Sequence, residues 1–191
     1  MSPKLKMVLS MLVFGTMAIF VRNIELPTAE IALFRAVIAL LVLVLYKVIK
    51  RESIPVKTIK KEILILVISG AAIALNWIFL FEAYNRTSVS IATLSYYFAP
   101  VIVMIASSVL FKEKLTSIQI FCFIMATVGL VFVVGVKGSA AKEQSLLGVA
   151  FGLTAAIHYA IVILLNKYIK SVSGMNRTLI QFFAAVVILT P

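Results

Sequence analysis

Long apolar runs, separated by short polar stretches, dominate the chain. A helix needs about 20 apolar residues to cross the hydrocarbon core of a bilayer. Six full runs meet that length, near 6–22, 29–46, 63–82, 88–111, 117–136 and 146–166. A seventh begins near 178 and reaches Pro191 after about 13 residues, too few for a crossing. It is expected to be the start of a span cut off from a longer protein, with a re-entrant segment as the alternative. The run 88–111 is the least uniform, holding Ser88, Ser90, Thr93, Ser95, Tyr96, Tyr97 and Pro100. The first run lacks a small-x-small cleavage site before its charged end, so it reads as a retained helix. The longest loop is 47–62, KVIKRESIPVKTIKKE, with Pro55 inside it. Such short loops predict that consecutive helices lie antiparallel and adjacent.

Composition agrees with lipid as the outer solvent. Of 191 residues, 63% are hydrophobic and 13% charged, against roughly 45–50% and about 25% in soluble domains. A small soluble fold leaves too much surface wet to hide this apolar content. The fold class expected is all-α, a polytopic transmembrane helix bundle.

The formal charge of +11 would suggest nucleic acid on a soluble protein. Here the cations sit between apolar runs and act as topology signals. Alternate loops carry thirteen Lys and Arg on one side and four on the other. That asymmetry predicts a cytoplasmic N-terminus in a multi-pass protein of the cell inner (plasma) membrane. The partners expected are membrane lipid and a small-molecule substrate, with no nucleic acid and with a homodimer left open. Cys122 is a lone thiol within an apolar run, so it makes no internal disulfide and reads as a packing residue. No phosphate loop or nucleophile elbow is present, and the one histidine argues against a histidine metal site. Neither a cofactor nor a metal is expected, and a membrane-embedded enzyme lacks the clustered acids or nucleophile it would need.

The segments LVFGTMAIFVRNIELPTAEIALFRAVIALL (12–41) and LNWIFLFEAYNRTSVSIATLSYYFAPVIVMIASSVLFKEKLTSIQIFCFIMATVGLVFVVG (75–135) resemble the first half of an EamA-like transporter of the drug/metabolite transporter superfamily. The matching marks are FGT in the first run, Arg35 in LFR, a Ser-rich fourth run with Pro100, the KEK turn 112–114 and Gly129. GVAFGLTAAIHYAIVILLNKYI (148–169) resembles the usual start of a second repeat. The resemblance implies inverted five-helix repeats, with residues 1–136 the first, 137–145 a connecting loop, and 146–191 the beginning of a truncated second. Substrate would bind near the midplane between the halves. The function implied is a secondary transporter, an exporter of small organic metabolites such as amino acids, working by alternating access. The alternative is a non-transporting or half-size subunit that works only as an assembly partner.

Candidate site residues are the polar and aromatic groups inside the runs. Arg35 lies about 9 Å along its helix from the outer end. A charge at that depth faces a cavity, pairs with an acid, or snorkels to the interface. Glu82 is expected at a similar depth and departs from the uncharged residue usual in the family. It can neutralise Arg35, couple transport to protons, or face Arg86. Asn76 and Trp77 fall in mid-helix, where an amide needs a partner and an indole can wall a cavity or simply pack. Ser95, Tyr96 and Pro100 mark a break in the fourth helix, a pore-lining element or a packing kink. His158 and Tyr159 can bind substrate, shuttle a proton or bond a neighbouring helix. Gly15, Thr16 and Gly70 are expected to allow close helix packing.

Overall fold

In hydrocarbon a backbone N–H has no water to turn to, so apolar runs close their hydrogen bonds internally as helices. The computed structural model describes residues 3–52, 56–112, 114–135 and 139–190. Pro55, Glu113 of the KEK turn, residues 136–138 at the expected repeat boundary and Pro191 lie outside them. The described residues form helices and no strand. In chain order these are α1 Pro3–Arg22, α2 Thr28–Lys50, α3 Val56–Arg86, α4 Val89–Tyr96, α5 Ala99–Phe111, α6 Ser117–Gly135, α7 Ser139–Tyr168 and α8 Gly174–Leu189. Four stretches are long and apolar enough to cross a bilayer: Thr28–Lys50, Ile59–Arg86, Val89–Phe111 and Leu146–Tyr168. Ser117–Phe132 and Gly174–Leu189 are shorter apolar helices.

The fourth apolar run breaks where its proline sits. Phe98 N donates to the Ser95 carbonyl in a tight turn, and Pro100 falls in the first turn of α5. A proline lacks an N–H that this position would leave unused anyway. Ser88 opens α4, its hydroxyl accepting from Ile91 N at 3.4 Å. Arg51 and Lys112, at φ 52° and 55°, end α2 and α5 in left-handed conformation.

The expected adjacency of consecutive helices is corrected. The most extensive contact is α3 against α7, which are far apart in sequence. α8 packs on α3 and α2, α7 also covers α4 and α5, and α1 leans on α3. Chain order sets only direction of travel here; lateral order follows from which faces carry small residues. The core around α3 holds Ala74, Phe81, Ala83, Ala92 and Ala155, all fully buried. The outer faces are apolar instead, as at Phe34, Ile38, Leu41 and Leu45 of α2. That distribution suits a lipid solvent, since an exposed apolar patch of this size is unfavourable in water. Cys122 lies exposed on α6 rather than in a packed seam.

Two glycines allow backbones to meet. A Cβ on Gly70 of α3 would stand 2.5 Å from the Gln181 carbonyl oxygen and 2.7 Å from Ala184 Cβ. A Cβ on Gly152 of α7 would stand 2.7 Å from Ser95 Cβ and 3.2 Å from the Ala92 carbonyl. By contrast Gly15 and Gly129 have nothing within 4 Å, so Gly15 does not mark a close seam. Thr16 is exposed, its hydroxyl bonded to its own helix at Val13 O. Overpacking a tight seam costs about 1–3 kcal/mol. Gly152→Val should therefore lower the thermal unfolding midpoint in detergent, followed by circular dichroism, while Gly129→Val leaves it unchanged.

Candidate functional site

A cavity of about 520 Å³ opens in the middle of the bundle, touched by α1, α2, α3, α4, α5, α7 and α8. That volume lies within the roughly 300–1,000 Å³ range of small-molecule sites. Its wall is mostly apolar and aromatic, with a few polar groups converging on it. Arg35, Asn76, Trp77, Tyr96, Pro100 and Tyr159 all line it. Tyr97 of the polar fourth run lines it too, as do Ser10 and Phe182, which sequence reasoning did not select as site residues. For Ser10 and Phe182 the runs offer no signal, because each is an ordinary residue until α1 and α8 are placed beside α3.

Arg35 turns inward. Its guanidinium carbon lies 4.6 Å from the Trp77 ring centre and 5.8 Å from that of Phe81. An arginine over an aromatic face gains a cation–π attraction that grows with desolvation. Its Nη1 is buried without a hydrogen-bond partner. Among the described residues no carboxylate pairs with Arg35. Glu82 instead accepts from Arg86 Nε at 2.8 Å, one helical turn along. Of the roles weighed for Glu82, the geometry gives the one facing Arg86.

Trp77 meets Phe182 edge to face, with ring centres 5.3 Å apart. Tyr96 and Tyr159 form a second aromatic pair at 5.6 Å. Asn76 sits between these walls. Its amide donates to the Ala155 carbonyl at 2.7 Å, which satisfies a buried amide and joins α3 to α7. The proline break before α5 places Tyr97, Ala99 and Pro100 at the cavity.

Two of the expected residues take other places. Ser95 is fully buried, its hydroxyl bonded to Ile91 O at 2.8 Å and its Cβ against Gly152. His158 is absent from the wall. Its Nδ1 lies 2.8 Å from the Thr154 carbonyl of its own helix, and its ring lies 5.2 Å from Phe79.

A second hollow of about 430 Å³ lies between α1, α3 and α4, lined by Gly15, Tyr84, Ser90 and Thr93. It shares Tyr97 with the central cavity and lies toward the Arg86 end of the bundle. A further hollow of about 460 Å³, along Lys4, Met7, Val8 and Leu12, has no converging polar groups and reads as outer surface.

The opposite end of the bundle is tied by polar contacts that the run pattern did not reveal. Lys47 is 5% exposed, and its ammonium donates to Asn176 Oδ1 at 2.6 Å, with Glu52 at 3.6 Å. Glu62 Oε1 accepts from the backbone N–H groups of Lys170 and Ser171 at 3.2 Å each. Gln181 donates to Ser69 at 2.6 Å and to Asn166 at 2.8 Å. These bonds link α8 and the turn before it to α2, α3 and α7.

The family model for the EamA-like transporter family matches residues 2–135. A relative described as the uncharacterized transporter YxxF of Bacillus subtilis (strain 168) is 32% identical over 188 residues. That alignment covers 98% of this chain and 60% of the relative, so the chain spans about three fifths of its length. No solved structure matches the chain.

Trp77 is the single tryptophan, so its fluorescence reports this cavity alone. Arg35→Met should shift its emission by removing the cation from the indole face. Glu82→Gln should leave the emission unchanged, because Glu82 bonds Arg86. An equal shift from both variants would contradict the separation of the two groups.

Proposed function

This chain belongs to the EamA-like transporter family, and from that premise we propose that it moves small organic metabolites, amino acids among them, through the central cavity as a secondary exporter. It is a multi-pass membrane protein of a transporter family, and its chemistry is translocation rather than catalysis. The observation that carries the proposal is the 520 Å³ cavity in mid-bundle, with one guanidinium and an amide set into aromatic walls. In hydrocarbon, polar groups inside a bundle stand where a solute or another polar group needs them.

The proposed cycle is alternating access. The excess of Lys and Arg in alternate loops supports an orientation with the Lys47 end at the cytoplasmic face of the inner membrane. In that orientation the Lys47–Asn176, Glu62 and Gln181 bonds form the inner gate. The hollow under Tyr84 and Thr93 forms the outer approach, reached past Tyr97. α7 and α8 would open an oppositely oriented second repeat that rocks against the first around the cavity. Release of α8 from α2 and α3 exchanges buried hydrogen bonds for bonds to water. Each such bond has a small net value, about 0.5–1.5 kcal/mol, so the gate can open thermally once solute binding favours it.

Reconstitution of the full reading frame in proteoliposomes, assayed with a panel of radiolabelled metabolites, tests the assignment. One solute class should move, and Arg35→Ala should reduce its rate at least about tenfold, equivalent to about 1.4 kcal/mol. Absence of movement for every solute would favour the half-size assembly partner. The gate has its own test. A Lys47→Cys and Asn176→Cys pair, in a Cys122→Ser background, should lose transport when joined by a reducible bifunctional cross-linker and regain it on reduction. Transport that continues with the pair joined would remove the gate from this end.

A further inference from the structure

The composition of the cavity wall constrains the charge of what it holds. Among the described residues of the lining, Arg35 is the one Lys or Arg, and there is no Asp or Glu. Its Nη1 is buried and unbonded, and no described carboxylate pairs with it. An arginine keeps its charge, and its guanidinium presents N–H donors in a fork that fits a carboxylate. Resting on the reading of this cavity as the transport site, we propose that Arg35 binds the carboxylate of a monoanionic solute whose apolar body lies between Trp77, Phe182 and the Tyr96–Tyr159 pair.

Charge balance leads to this class. A neutral solute would leave the guanidinium without a counter-ion in a medium that penalises lone charge. A cation would add like-charge repulsion to that penalty. A dianion, such as a phosphate monoester, would retain a negative charge with no second cation among the described residues of the wall. One carboxylate brings the site to neutrality.

The same wall does not read an ammonium group. An α-ammonium beside a guanidinium needs a negative acceptor, and no carboxylate is among the described residues of the wall. The Trp77 face, which could hold a cation, already carries Arg35 at 4.6 Å. The neutral oxygens at the wall, those of Ser10, Asn76 and the tyrosines, offer an ammonium hydrogen bonds but no counter-charge. The carboxylate is therefore the required group, and an amino group is dispensable. An aromatic body is suited by ring walls on both sides, since offset or edge contacts with Trp77 and Tyr96 add to area burial.

Quenching of Trp77 in this chain, where it is the single tryptophan, measures this directly with three probes of one skeleton. Phenylalanine carries both groups, 3-phenylpropionate the carboxylate alone, and phenethylamine the ammonium alone. Phenylpropionate should bind at least as tightly as phenylalanine, and both at least about tenfold more tightly than phenethylamine. Arg35→Gln should erase that order. Arg35→Lys keeps the charge and loses the fork, so it should retain the order with weaker binding. Phenethylamine binding as well as phenylpropionate would overturn the proposal, as would an order that survives Arg35→Gln. If none of the three quenches Trp77 while some other solute is transported, the carboxylate assignment falls and the transport reading stands. If none binds and nothing is transported, both fall.

Discussion

α3 and α7 make the most extensive helix contact, with Ala74, Ala155 and Ala156 fully buried on the two helices and Phe79 of α3 stacked on Phe151 of α7. At the centre of that seam Asn76 reaches across to the Ala155 carbonyl at 2.7 Å. Lipid supplies no hydrophobic drive for two apolar helices to associate, so close packing and interhelical hydrogen bonds must do it. The small Ala155 leaves its carbonyl within reach of α3, and the Asn76 amide uses that reach. The cavity depends on this seam. Trp77, the next residue on α3, is held where Arg35 and Phe182 can reach its ring. Tyr159, four residues beyond Ala155 on α7, is held against Tyr96.

The two ends of the bundle use different physics. Toward the Arg86 end the contacts are small and loosely filled, with a hollow between α1, α3 and α4. Toward the Lys47 end the helices are joined by directional bonds from buried polar groups: Lys47, Ser69, Asn176 and Gln181. Packing of apolar atoms is non-directional and gives gradually as helices tilt. Hydrogen bonds between buried groups are made or lost as units, and an unmade one leaves a desolvated group behind. Bonds of this kind favour discrete over graded opening, which suits the gate proposed for this end.

Much of the architecture was legible in the pattern of apolar runs. The helices at 28–50, 56–86 and 139–168 contain the runs 29–46, 63–82 and 146–166, with polar ends added. The broken fourth run, marked by Pro100, appears as α4 and α5. Arg35 stood out because a guanidinium deep in an apolar run needs a reason. Several residues of the site were legible for the same cause, as polar or aromatic groups where hydrocarbon disfavours them. Lys47 was not, because a lysine at a helix end looks like a topology signal. Its burial depends on Asn176, 129 residues away. Gln181 and Ser69 form a pair across 112 residues for an equally non-local reason.

By itself the sequence determined that this chain is helical, that it crosses a membrane repeatedly, and that it belongs with transporters. These follow from local quantities: hydropathy over about 20 residues, charge in the loops, and short motifs. The tertiary structure alone decided which helices touch and how each is turned. It sent Glu82 to Arg86 rather than to Arg35, and turned Ser95 into a packing seam. It faced His158 toward its own helix and brought Phe182 of α8 to Trp77 of α3. An apolar helix face looks alike to lipid and to another helix, so hydropathy cannot choose between them. Rotation and lateral order are set by steric fit of small residues and by a few hydrogen bonds between distant positions.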